Sequence, residues 1–153
     1  DFLGSPADNT DCTITEGYRV QVGAALFGCG GTPCDQCRDT FFVPDDAAWN
    51  AVPNLAELQT LFGNRPDLLE DVMQLHVVPN NELDFGDFTD GSLLPTKLTG
   101  QPIDVSVSAN VELTSGPANN RNQFITAGDR EDSVDAGRIW KVDFVLWPAN
   151  LRV

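Results

Sequence analysis

Near its C-terminal end the chain runs Gly137-Arg138-Ile139-Trp140-Lys141-Val142-Asp143-Phe144-Val145-Leu146-Trp147-Pro148, and no other stretch restricts the fold as strongly. A turn glycine opens it and a proline closes it. Between them apolar and polar residues alternate, and then Phe144–Trp147 is wholly apolar. Alternation marks a strand with one face on a core, and a continuous apolar run marks a strand covered on both faces. The expectation is one long strand, Arg138–Trp147, at the heart of the sheet system. No catalytic signature lies in or near it.

The elements upstream are short. Thr40-Phe41-Phe42-Val43 predicts an apolar strand stopped by Pro44, after which Asp45 is placed to cap a helix from Asp46 to Val52. Leu55, Leu58, Leu61 and Phe62 share one face of a second helix ending at Gly63. Pro66 suits the first turn of a third, whose Leu68, Leu69, Val72, Met73 and His76 are spaced for a buried stripe. After Pro79 the pattern changes to period 2. Leu93–Leu98, Ile103–Val107, Val111–Leu113 and Gln123–Ala127 then read as short strands between Gly, Pro and Asn turns. Helices first and strands later is an α+β arrangement, mostly antiparallel, with helices at one side. A chain of 153 residues is most simply one domain.

The N-terminal quarter differs in kind. Residues 1–17 are polar and irregular, an arm tied down by Cys12, and Tyr18–Phe27 fits either a short helix or a strand. Gly28-Cys29-Gly30-Gly31-Thr32-Pro33 ends it. All four cysteines, Cys12, Cys29, Cys34 and Cys37, fall in this quarter. An even, clustered set reads as two disulfides formed in an oxidising compartment, with three pairings open. Zinc is the rival reading, because Cys34-Asp35-Gln36-Cys37 has a metal-type gap, but a second close pair is missing. A thioredoxin-like redox site is weaker still, since no strand leads into Cys34. The division expected is a cysteine-rich segment, 1–38, packed on a domain core, 39–153.

Charge bounds the partners. Asp and Glu number 23 against 9 Lys and Arg, for a formal net charge of -14 and a sequence pI near 4.1. Lys97 and Lys141 are the two lysines, so no basic patch exists and nucleic acid is excluded as a partner. Proteins with basic surfaces, including a large membrane complex, fit better. No apolar run reaches the ~20 residues of a membrane helix, so the chain is not expected to span a membrane. A start at Asp1 reads as a processed, exported protein. Asn-x-Ser/Thr occurs nowhere, which points toward a bacterial exterior or a plastid lumen over the eukaryotic cell surface.

Four stretches, in order, resemble the motifs of the fasciclin-like domain family. The first, a Thr–aromatic strand running into Pro-Thr-Asp-x-Ala-Phe, is here Thr40-Phe41-Phe42-Val43-Pro44-Asp45-Asp46-Ala47-Ala48-Trp49, with Asp45 for Thr and Trp49 for Phe. The central Tyr-His motif is Leu75-His76-Val77-Val78, with Leu75 for Tyr. A Thr-Leu-x-Gly hairpin is similar to Thr96-Lys97-Leu98-Thr99-Gly100, followed by Pro102-Ile103-Asp104-Val105. The last motif, Asn-Gly-x-Ile-x-x-Ile-Asp-x-Val-Leu-x-Pro, corresponds to Ala136 through Pro148. The resemblance implies a mostly antiparallel β-sandwich or wedge with helices packed on one side. It makes Thr40, Pro44, Asp46, His76, Gly137, Asp143 and Pro148 structural motif residues. Residues 1–38 depart from the family, in which helices normally stand there.

The resemblance implies a non-enzymatic interaction module, and the residues agree. His76 is the chain's one histidine and sits at the end of a buried stripe, where a core role outweighs general-base work. No Gly-x-Ser-x-Gly elbow is present. Two acidic runs, Asp84/Asp87/Asp90 and Asp129/Glu131/Asp132/Asp135, lack the register of a calcium loop and read as a solvated or docking face for basic partners. No metal or cofactor is expected. Algal relatives bind carotenoids, so a pigment carrier using Phe85 or Phe88 is the alternative. The main expectation is an extracytoplasmic, disulfide-stapled subunit. Its setting is either the thylakoid lumen, docked on a photosystem such as photosystem II, or the cell exterior, as a secreted adhesion or matrix protein.

Overall fold

Asp39-Thr40-Phe41-Phe42-Val43-Pro44 is buried along its entire length. A strand reaches that state only with neighbours on both edges and cover on both faces. The computed structural model describes residues 12–22, 38–115, 124–125, 131–134, 137–149 and 151. In chain order they form α1 (Thr13–Val22), β1 (Asp39–Pro44), α2 (Asp46–Asn50), α3 (Leu55–Asn64), α4 (Pro66–Leu75) and β2 (Val77–Val78). A 3-10 turn at Phe85–Asp87 follows, then β3 (Leu93–Leu94), β4 (Ile103–Val107), β5 (Val111–Thr114), β6 (Phe124–Ile125), β7 (Glu131–Val134) and β8 (Gly137–Val142). The fold is α+β.

These strands build two four-stranded sheets, ordered β2-β1-β8-β7 and β3-β4-β5-β6. Pairing is antiparallel except between β1 and β8, which run parallel from Asp39 opposite Gly137 to Pro44 opposite Val142. The period-2 geometry of strands then sorts the core into two layers. Phe41, Val43, Val77 and Ile139 face the helices, packing with Tyr18, Trp49, Phe62, Leu69 and Val72. Phe42, Val78, Trp140 and Val142 face the second sheet, packing with Leu94, Ile103, Val105, Leu113 and Ile125. The first sheet is therefore a central layer between helices and sheet. Each large side chain fully buried this way stabilises by about 1.5–3 kcal/mol.

Helix starts follow local chemistry. Asp45 caps α2, its Oδ1 accepting the Ala48 N–H at 2.7 Å. Pro66 begins α4 where a missing N–H costs nothing. Gly100, at φ +84°, occupies the left-handed region in the turn between β3 and β4, where a side chain would be strained.

Three expectations need correction. The C-terminal strand stops at Val142 instead of Trp147. Its partner β1 ends at Pro44, where the chain turns into α2, so no ladder partner remains beyond that pair. Phe144–Trp147 is still covered on both sides, with Phe144 and Leu146 in the inter-sheet core and Val145 and Trp147 in the helical core. The N-terminal quarter does carry a helix, since α1 begins at Thr13 within the supposed arm and packs Tyr18 into the core. Of the second acidic run, Glu131 and Asp132 lie in the edge strand β7 and pair with β8. Charge on a sheet edge blocks further strand addition, which accounts for acids in such a strand. Finally, Phe88 is buried between Phe42 and Trp140, with ring centroids 6.2 and 6.1 Å away, so it belongs to the core.

Candidate functional site

The motif residues converge where the helices meet the central sheet. His76, fully buried, follows α4. Its Nδ1 lies 2.7 Å from the Val72 carbonyl, which can only accept, so Nδ1 carries the proton. Its Nε2 accepts the Leu146 N–H at 2.9 Å. The His76 carbonyl also accepts from Phe42 N–H at 2.9 Å. One neutral imidazole thus ties α4 to the Phe144–Trp147 segment, while its backbone ties both to β1. Burial pushes the ring's pKa down to about 4.

Asp46, beside the cap of α2, serves a different helix. Its Oδ1 accepts the Ile14 N–H at 2.9 Å and its Oδ2 the Thr13 hydroxyl at 2.6 Å. A carboxylate distant in sequence therefore satisfies the open amino end of α1. Buried Thr15 donates its hydroxyl to the Pro44 carbonyl at 2.6 Å and accepts the Trp49 indole N–H at 2.8 Å. Thr40 donates to the Asn81 carbonyl at 2.7 Å and accepts the Leu83 N–H at 2.8 Å. Gly137 opens β8 opposite Asp39, and Pro148 is buried at the end of the apolar segment. Asp143 differs from the other motif residues. It stands exposed.

The first acidic run is used within the fold. Asp87 Oδ2 accepts the Asp84 N–H at 2.8 Å, Asp84 Oδ1 lies 2.7 Å from Arg138, and Asp90 Oδ1 accepts the Val107 N–H at 2.9 Å. Asp129 and Asp135 lie outside the described residues, as do Cys29, Cys34 and Cys37, so neither the disulfide nor the zinc expectation falls on described geometry. Cys12 is buried against the helical core. Among the described residues no group of three or more His, Cys, Asp or Glu is placed to hold a metal ion. No described helix is long and apolar enough to cross a membrane.

A shallow groove of about 230 Å³ opens between the end of α2 and the segment after β8. Ala48, Ala51, Val52 and Pro53 line one side, and Asp143, Phe144, Val145 and Trp147 the other. Sequence reasoning did not assemble it. Its one signal was an acid interrupting the apolar run from Val142 to Trp147.

A parallel strand pair carrying helices on one face and a second sheet on the other defines an α+β domain. The chain belongs to the fasciclin family, whose domain model matches residues 35–148. Among solved structures, one described as a FAS1 domain pair from the insect cell adhesion molecule fasciclin I is similar over 72% of this chain, at 17% identity and a TM-score of 0.45. This chain spans 40% of that structure's length. No curated protein matches the chain. The family match begins at residue 35, so α1 lies outside it yet contributes Tyr18 to the shared core.

Proposed function

We propose that this chain is a non-enzymatic, adhesion-type module that binds other proteins outside the cytoplasm. Membership of the fasciclin family is the observation that carries the reading. Charge supports it. Arg19, Arg38, Arg65, Lys97 and Arg138 each lie within 4.0 Å of a carboxylate of the chain itself, so local cations are neutralised and the outer field stays acidic at a net charge of -14. Such a surface suits a partner bearing Arg and Lys. The His76 ring is buried with both nitrogens bonded to backbone, which leaves it no proton to exchange with a substrate.

Two settings fit. One is a secreted adhesion or matrix protein. The narrower one is a lumenal extrinsic subunit docked on a photosystem such as photosystem II, supported by the acidity and the absence of Asn-x-Ser/Thr. A carotenoid carrier gains less support, because Phe85 and Phe88 pack on Trp140 as part of the inter-sheet core. Co-fractionation from the native source tests the reading. Mildly solubilised material should carry this chain in a larger complex that releases it in high salt. Migration as a small free protein at low salt would overturn the proposal, and a coloured product would turn the argument toward the carrier.

A further inference from the structure

We propose that the groove beside Asp143 is a socket for a single arginine side chain of the protein partner, an inference that rests on the interaction-module reading and gives it a site. The groove's volume, about 230 Å³, falls below the roughly 300–1,000 Å³ of small-ligand pockets, and suits one large side chain better than a pigment. Its walls are chemically divided. Ala51, Val52 and Pro53 offer apolar surface to an aliphatic stem, and the largely buried Phe144 and Trp147 close the far side. The Asp143 carboxylate is exposed at the same groove, available for the paired hydrogen bonds that a guanidinium makes and an ammonium cannot. The carbonyl end of α2 lies there too, and its dipole adds to the attraction for a cation. The negative field of the chain steers such a side chain inward.

Asp143 also contrasts with the other carboxylates singled out in the chain. Asp46, Asp84, Asp87 and Asp90 all bond to groups of the fold, whereas Asp143 sits exposed beside the groove. The family motif at Asp143 is therefore assigned here to recognition, not to holding the strand.

The test is a titration of the folded chain, followed by amide NMR, with two blocked tripeptides: acetyl-Gly-Arg-Gly-amide and its citrulline counterpart, which has the same shape without the charge. The arginine peptide should shift the amides of Ala51, Val52, Asp143 and Phe144, and the citrulline peptide should not. Asp143→Asn should weaken binding by roughly tenfold to a hundredfold, the range for a hydrogen bond to a charged group, with an unchanged thermal midpoint. Ala51→Leu, which fills the mouth and leaves the carboxylate in place, should weaken it as well. Equal shifts from both peptides, or shifts scattered over the acidic surface and indifferent to Asp143→Asn, would overturn the socket. The two proposals separate cleanly. A native partner that binds wild type and Asp143→Asn alike refutes the socket and leaves the module standing. Arginine binding at the groove without any native partner does the reverse.

Discussion

The two sides of the central sheet are held in different ways. Toward the second sheet the contacts are mainly apolar, with Ile103, Leu113 and Ile125 fully buried; Trp140 donates its indole N–H to the Leu83 carbonyl at 2.9 Å, and Thr40 bonds the Asn81–Leu83 backbone at the edge. Toward the helices, apolar packing is joined by more polar groups, namely buried Thr15 and His76, the Trp49 indole and the half-buried Asp46. The difference has a physical origin. Strands in a sheet are already located by their ladders, so side chains between sheets need only fill space. A short helix lying on a sheet has no ladder to its neighbours. Packing alone leaves it free to slide, and a directional bond to a buried partner removes that freedom.

Breaking the apolar side should cost most. Trp140→Ala removes a fully buried indole between the sheets and should lower unfolding free energy by about 3–5 kcal/mol, read by chemical denaturation. A smaller loss than that of Thr15→Val would contradict the division drawn above.

Acid should act selectively on the other side. The folded pKa of His76 is depressed to about 4 against an ordinary 6.5, so the unfolded chain takes up a proton first as pH falls. The associated stability is complete above the unfolded value and is lost as pH drops through the window from 6.5 to about 4, by roughly 3 kcal/mol in all. Carboxylates also titrate near the lower limit, so the clean observable is the difference in slope between wild type and His76→Asn across that window. Identical slopes would mean that His76 is not held neutral by burial.

Two smaller losses complete the comparison. Thr15→Val keeps the shape but leaves the Trp49 N–H and the Pro44 carbonyl without that bond, a cost of about 1–3 kcal/mol by denaturation. Asp46→Ala should cost about 1 kcal/mol, the usual worth of a helix cap, with faster amide exchange confined to the start of α1. Exchange that instead quickened throughout α2 would show that Asp46 serves its own helix.

Much of the fold was legible. The Ile103–Val107 strand matches residue for residue, and the cap at Asp45 and the proline start at Pro66 stand where their chemistry demands. Such features depend on neighbours within one or two turns, which the sequence displays directly. Less legible were elements whose definition needs a distant partner. The strand at Glu131–Val134 hid inside an acidic run because edge position, not hydrophobicity, makes it a strand. The break after Val142 was invisible because periodicity continues through Phe144–Trp147, and only the end of β1 at Pro44 removes the ladder.

The sequence alone determined the α+β class, the family resemblance, the acidity and the short helices, because composition, spacing and capping are local quantities. Tertiary structure decided which strands pair in parallel, which helix Asp46 caps and what His76 bonds, since each involves residues tens of positions apart. It also separated Asp143, exposed at a groove, from the motif carboxylates bonded within the fold. A carboxylate's role is set by what lies within about 3 Å of it, the reach of a hydrogen bond, and chain order does not specify that neighbourhood.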